Sequence, residues 1–329
     1  MPWSASMRNV CAVLPRLIRA AVALCLLATV ARASDFSREG IGTTSGDFLE
    51  IAVSARCAAM GEACGAAVND ASAMYWNPAG LVDVSSNSVV LMHASYLADT
   101  HFEYAAVAHN IEDIGVCGAS IQYMGMGTLE GTDESGTSTG DFSPYDMAVS
   151  LGFATYVSGY NKFPEERFVM GATVKIINSQ ITQQATTMAV DGGLLSPYLL
   201  DRTLRLSFGV SNMMGSLRYY TENEPLPLTV RAGSRVMLED DLDITADVVA
   251  VSNNYPFLAM GGEYRLPVYK DINAALRAGF NTRAIGDYQG FRNVSMGFGI
   301  SGERMGFDYA FTPFGELGSV NRLSCSLKF

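Results

Sequence analysis

From Asn87 onward, apolar and polar residues alternate in short runs separated by clusters of Gly, Asn, Asp, Pro and Ser. A period of two is the signature of strands with unlike faces. Fourteen runs are predicted, near Asn87–Leu97, His101–Asn110, Ile114–Gly125, Pro144–Val157, Arg167–Asn178, Thr186–Leu195 and Thr203–Asn212, then Pro227–Leu238, Leu242–Ser252, Phe257–Leu266, Ile272–Phe280, Val294–Ile300, Gly306–Phe311 and Asn321–Phe329. The seventh sets Leu204, Leu206, Phe208 and Val210 against Arg205, Ser207, Gly209 and Ser211, and the last sets Leu323, Cys325, Leu327 and Phe329 against Arg322, Ser324, Ser326 and Lys328. Lys175, Arg205, Arg231, Arg235, Arg265, Arg277, Arg322 and Lys328 all fall on the polar phase. A soluble sandwich tolerates such alternation. A closed membrane barrel demands it, because an arginine facing mid-bilayer lipid costs roughly 2–4 kcal/mol.

Loop lengths bear on the same choice, since outer-membrane barrels join strands by short turns at one end and long loops at the other. The longest connections, Met126–Ser143, Met213–Leu226 and Asn281–Asn293, follow the third, seventh and eleventh runs, whereas Ile111–Asp113 and Glu239–Asp241 follow even ones. Ser158–Glu166 departs from the rule. Residues 1–33 read as a signal peptide: Arg8, Arg16 and Arg19 lead into an apolar stretch, Leu17 to Val30, that ends in Ala31-Arg32-Ala33. That stretch is too short to span a bilayer, which takes about 20 helical residues. Phe329 ends an alternating run, as an aromatic commonly does in outer-membrane barrels.

Only 17% of residues are charged and 49% are hydrophobic, which argues against disorder. The net charge of -11 removes the basic footprint of a nucleic-acid binder. Four cysteines follow the leader: Cys57, Cys64, Cys117 and Cys325. On a continuous helix Cys57 and Cys64 stand about 10.5 Å apart, beyond the ~7 Å reach of a disulfide, so free buried thiols are expected. On a strand His101 and His109 lie about 27 Å apart, too far to share an ion, and neither a metal set nor a cofactor motif is present. No Ser–His–Asp order, H-E-x-x-H or carboxylate pair suggests an enzyme.

Residues 34–86 lack alternation and are rich in small residues, among them Ala55-Arg56-Cys57-Ala58-Ala59-Met60-Gly61-Glu62-Ala63 and Tyr75-Trp76-Asn77-Pro78-Ala79-Gly80-Leu81. Asn77 can cap a short helix with Pro78 at its first position, where a missing N–H costs nothing. With Ala189-Val190-Asp191-Gly192-Gly193-Leu194, Val210-Ser211-Asn212-Met213-Met214-Gly215, Pro225-Leu226-Pro227-Leu228-Thr229, Leu276-Arg277-Ala278-Gly279-Phe280 and Phe307-Asp308-Tyr309-Ala310-Phe311, these residues resemble the outer-membrane superfamily of FadL long-chain fatty-acid transporters, and more closely its PorV-like branch.

The resemblance implies an all-β fold: a fourteen-stranded antiparallel transmembrane β-barrel over 87–329, with residues 34–86 folded into the lumen as a small hatch carrying the motif Tyr75, Trp76, Asn77, Pro78, Ala79 and Gly80. It implies an outer-membrane location, insertion by the barrel assembly machinery and contact with outer-membrane lipid. The function it implies is passage of hydrophobic molecules, long-chain fatty acids in particular. Its alternative, carried by the PorV-like branch, is an adaptor that works with the components of a secretion system. A fatty acid needs a cation for its carboxylate, and Arg205, Arg231, Arg235 and Arg277 on the lumen phase are the candidates. The competing expectation is that they pair with Asp191, Asp247, Glu263 and Asp308 on the same phase.

Overall fold

The computed structural model describes residues 36–97, 99–157, 166–238, 241–283 and 293–329. The leader and large parts of Ser158–Glu166, Glu239–Asp241 and Asn281–Asn293 lie outside them. Eighteen strands occur among the described residues: β1 (Asn87–Ser95), β2 (His101–Ile111), β3 (Gly115–Gly125), β4 (Leu129–Thr132), β5 (Ser138–Phe142), β6 (Tyr145–Tyr156), β7 (Val169–Gln180), β8 (Gln184–Leu195) and β9 (Leu204–Met213), followed by β10 (Ser216–Leu217), β11 (Glu224–Pro225), β12 (Thr229–Leu238), β13 (Leu242–Val251), β14 (Phe257–Tyr269), β15 (Ile272–Asn281), β16 (Val294–Ser301), β17 (Met305–Pro313) and β18 (Ser319–Lys328). The pairs β4–β5 and β10–β11 are small ribbons within the loops 126–143 and 213–226. The other fourteen strands form one closed antiparallel barrel in which each pairs with its chain neighbour, and β1 meets β18 at the seam. Asn87 and Phe329 exchange backbone hydrogen bonds of 2.9 and 3.2 Å where that seam ends. All fourteen predicted runs coincide with these strands.

Burial is inverted relative to a soluble protein. On β15, Leu276 is 57% exposed while its neighbour Arg277 is 9% exposed, and the same contrast separates Val174 from Lys175 on β7 and Leu323 from Arg322 on β18. Apolar side chains outside and charges inside define a barrel that crosses a membrane with its strands. Among the described residues no helix is long and apolar enough to do so.

Between Gly40 and Val84 the chain packs against the inward face of the wall. A one-turn helix, Ala55–Ala59, lies on β15, β16, β17 and β18, and a 3-10 turn, Pro78–Asp83, lies across β3, β6, β7 and β8. Inward glycines make room for both. A Cβ on Gly171 would overlap the backbone of Pro78 and Ala79, and one on Gly279 would overlap the Gly61 nitrogen and the Met60 carbonyl carbon. The alanines and glycines of residues 55–80 serve the same end. Backbone approaches backbone because neither side carries bulk between them.

Candidate functional site

The segment reverses direction after its first helix. Gly61 and Glu62 adopt left-handed conformations, with φ of 65° and 72°. They bring Cys57 and Cys64 to a Cα separation of 5.7 Å, where the two form a disulfide. This corrects the expectation of free thiols, which extended one helix through both cysteines. The helix stops at Ala59 because the wall stands in its path: a Cβ at Gly61 would lie 2.6 Å from the Met260 carbonyl oxygen. Cys117 and Cys325 are free. Alkylation of the unfolded, unreduced chain without its leader should therefore modify two cysteines, and two more after reduction. A loop this short contributes about 2–3 kcal/mol in the chain-entropy account, so the Cys57→Ser/Cys64→Ser variant should unfold at lower denaturant by a matching margin.

A second helical turn, Ala73–Trp76, ends at Asn77. The Asn77 side chain accepts from the Ala79 N–H at 3.1 Å, capping the turn that begins with Pro78, and donates to the carbonyls of Gly65 and Leu194, both at 3.2 Å. One amide thus ties the cap to the segment's own earlier loop and to the wall at β8. An aspartate would supply the cap but neither donor. The Trp76 indole donates to the Val53 carbonyl at 3.1 Å, and the Arg231 guanidinium lies 5.0 Å above its ring. Tyr75 packs edge-on against Trp76, their centroids 4.9 Å apart. Ala79 and Gly80 are buried, and a Cβ on Gly80 would sit 2.7 Å from a Val68 methyl.

Charged side chains bind the segment to the wall. Arg56 meets Glu263 through two hydrogen bonds of 2.8 and 2.9 Å, and Arg277 and Arg265 reach the same carboxylate at 2.6 and 2.8 Å. Arg277 continues to Asp308 at 2.7 Å, and Arg265 to Asp243 at 2.7 Å, where Arg235 also binds. Burial works against the charge of Arg56, but Glu263 outweighs it and raises the guanidinium pKa. Near the long-loop end Glu50 of the segment pairs with Arg283 at 2.9 Å; burial raises the Glu50 carboxyl above its ordinary range despite that cation.

The four arginines singled out in the sequence do not converge. Arg205 pairs with Asp83 at the short-turn end, beside Arg235 and its partner Asp243. Arg231, midway along the lumen, meets Asp247 at 2.9 Å and the Glu62 carbonyl at 2.7 Å, while Arg277 belongs to the Glu263 cluster. Asp191 takes Lys175 instead, at 2.8 Å. Three sequence motifs meet beside it: Asp191 accepts from the Asn212 N–H at 2.9 Å, Asn212 accepts from Lys175, and Asn212 donates to the Pro227 carbonyl at 3.0 Å. Sequence reasoning missed Arg56, Glu263 as its partner, Asp83 and Glu50. The clue available was charge within a segment otherwise built of small residues.

Between Tyr75 and Trp76 on one side and Lys175, Arg231 and Arg283 on the other lies a cavity of about 30 Å³.

The type IX secretion system protein PorV family model matches residues 34–196, just under half the chain. No curated protein matches in sequence. Among solved structures, the Pseudomonas putida toluene transporter TodX superposes with a TM-score of 0.56 at 11% identity, covering 83% of this chain and 96% of its own. The Ralstonia pickettii toluene transporter TbuX gives 0.54 at 13% identity, with 84% and 98% covered. A Pseudomonas aeruginosa FadL homologue gives 0.54 at 12%, with the same two coverages. The fold is that of a FadL-type outer-membrane β-barrel, and the outer membrane is where the protein resides. Within that class the chain resembles the PorV-like branch, through the half that contains the inward-packed segment.

Proposed function

We propose that the protein passes hydrophobic molecules, long-chain fatty acids among them, across the outer membrane, with residues 34–86 acting as the hatch of a barrel formed by residues 87–329. The observation that carries this reading is the packing of the segment across the barrel, against β3 and β6–β8 on one side and β15–β18 on the other, which leaves a cavity of about 30 Å³ beside Tyr75 and Trp76. A wall this polar inside would otherwise conduct water and ions as a porin does. The TodX and TbuX structures are of toluene transporters, which favours small hydrophobic cargo. By the rule that short turns face the periplasm, the loops 126–143 and 213–226 lie outside the cell.

Asn77→Ala/Pro78→Ala tests the hatch. The change removes a cap worth about 0.5–2 kcal/mol and the fixed φ of Pro78, so the hatch loosens while the barrel persists. Fatty-acid uptake should fall or small-solute leakage should rise, with unchanged protein in the outer membrane. Parallel loss of protein and uptake would assign both residues to folding. No change in uptake and conductance would remove the hatch from the mechanism.

A second reading, an adaptor that works with secretion-system components, is favoured by the PorV family match across 34–196. It predicts normal fatty-acid uptake but failed export of secreted proteins in cells lacking this chain.

A further inference from the structure

The three histidines of the chain, His93, His101 and His109, all lie on the outward phase of β1 and β2, and Glu103 lies among them. The other carboxylates of the wall strands, Asp146, Asp191, Asp243, Asp247, Glu263 and Asp308, fall on the inward phase. Among the described residues Glu103 is thus the one wall carboxylate turned toward lipid, and no lysine or arginine of those strands shares its phase. His93 Nδ1 meets one Glu103 oxygen at 2.6 Å across the two strands, with both side chains about half exposed. A carboxylate only accepts, so Nδ1 carries the hydrogen of this contact. The Nε2 of a neutral ring and the second Glu103 oxygen then remain as acceptors, and neither has a partner among the described residues. The pair is not at the edge of the membrane. Between it and the His109–Asn87 contact at the strand end, the outward phase carries only Val89, Leu91, Ala105 and Val107. That length of tilted strand rises about 15 Å, and an apolar band is about 25 Å tall. A carboxylate at such a depth marks a site where something pairs with it.

The surroundings point to the kind of partner. Glu103, His93, Leu323 and Tyr309 stand side by side across β2, β1, β18 and β17, and Ala105, Leu91, Cys325 and Phe307 form the next row toward the short-turn end. Ala105 and Cys325 are short, and the wall there holds a depression of about 980 Å³, bounded by Ile121 and Tyr123 on one side and Phe298 on the other. Its floor is apolar and it opens on the lipid side, so hydrocarbon fills it. Its selectivity lies at the one polar edge, which offers two acceptors and a negative charge. A primary ammonium group, with three N–H donors and a positive charge, is the complement of that edge. We propose that the depression seats one outer-membrane lipid with a primary-ammonium headgroup. The nitrogen bonds the second Glu103 oxygen and His93 Nε2, and the chains lie over Leu91, Ala105, Cys325 and Phe307. The headgroup reaches the pair because a bilayer thins to match a short apolar stretch. The proposal requires the barrel's place in the membrane and is independent of the passage reading.

Native mass spectrometry of the detergent-solubilised protein, titrated with palmitoyl-oleoyl phosphatidylethanolamine, phosphatidylcholine or phosphatidylglycerol, tests it. The three lipids have the same chains. The choline head keeps the positive charge but has no N–H, and the glycerol head has neither. The parent protein should retain one phosphatidylethanolamine at a concentration about tenfold lower than either of the others, the equivalent of one charge-assisted hydrogen bond. Glu103→Gln keeps the side chain's shape and removes its charge, and should bring phosphatidylethanolamine down to the level of phosphatidylcholine. His93→Leu/Glu103→Leu continues the apolar phase of the neighbouring strands, so it should keep the folded band on an unheated gel while retaining the three lipids alike. Equal retention of the three by the parent protein overturns the proposal, as does a preference that survives in Glu103→Gln. A dimer that forms in place of lipid retention and is lost in Glu103→Gln would assign the face to a second copy of the chain, and also overturns it.

Discussion

Glu263→Gln should cost the folded protein about 3–5 kcal/mol, the usual effect of removing one member of a buried ion pair. It should release the N-terminal segment from a wall that stays closed. Glu263 is 2% exposed and, among the described residues, is the only carboxylate bonded to Arg56. Its other two partners have alternatives, since Arg277 also binds Asp308 and Arg265 also binds Asp243. Among the described residues, Arg56 would then face only neutral acceptors: the new amide oxygen, Asn69 and the Ala67 carbonyl, the last two at 3.0 and 3.4 Å. The uncompensated charge therefore lies on the segment side of the interface, and the segment should detach first. Limited proteolysis of outer-membrane vesicles reads this directly. New cleavage between residues 36 and 86, with the barrel still running as a folded band on an unheated gel, is the expected result. An unchanged digestion pattern together with a destabilised barrel would mean that the cluster holds the wall alone.

Gly279→Ala should act at the same interface by steric means. The added methyl would overlap backbone atoms of Met60 and Gly61, and backbone cannot rotate away as a side chain end can. Overpacking of a close-packed interior commonly costs about 1–3 kcal/mol and more where nothing yields. The turn that carries the Cys57–Cys64 disulfide must lift off β15 to admit it. Barrel assembly should continue, because Gly279 takes part in ordinary antiparallel pairing with Gly261 and Ser295, which a Cβ does not disturb. Small-solute conductance in planar bilayers should rise. Gly262→Ala, where the nearest atom to an added Cβ is 3.9 Å away, should leave conductance at the parent level, and equal effects of the two substitutions would refute the argument.

The wall was legible in the sequence because lipid imposes a rule on every second residue. Leu276, Arg277, Ala278 and Gly279 declare their faces without reference to any other part of the chain. The packing of the segment follows no such local rule. Arg56 and Glu263 are separated by 207 positions, and Arg205 and Asp83 by 122, so no periodicity links them. The pool of lumen acids was readable as a phase, but the choice within it was not: Asp191 went to Lys175 and not to an arginine. The disulfide was missed for a related reason. Spacing on an ideal helix forbids it, and only the wall at Met260 forces the left-handed turn at Gly61 and Glu62 that permits it. The cap at Asn77 was foreseeable because it is local. Its ties to Gly65 and Leu194 were not.

The seam between β1 and β18 sets an order of events for assembly. Its two strands come from opposite ends of the wall sequence, so the cylinder is completed only when the last strand has been made and has found the first. The segment precedes β1, and its glycine and alanine backbone lies against inward faces as distant in sequence as β7 and β15. Threading it into a finished cylinder would require sliding both helical turns and a disulfide loop past a wall that their backbone touches at Gly171 and Gly279. Seating it while the sheet is still an open, curling strip avoids that passage, so the expected order is that the wall forms around the segment.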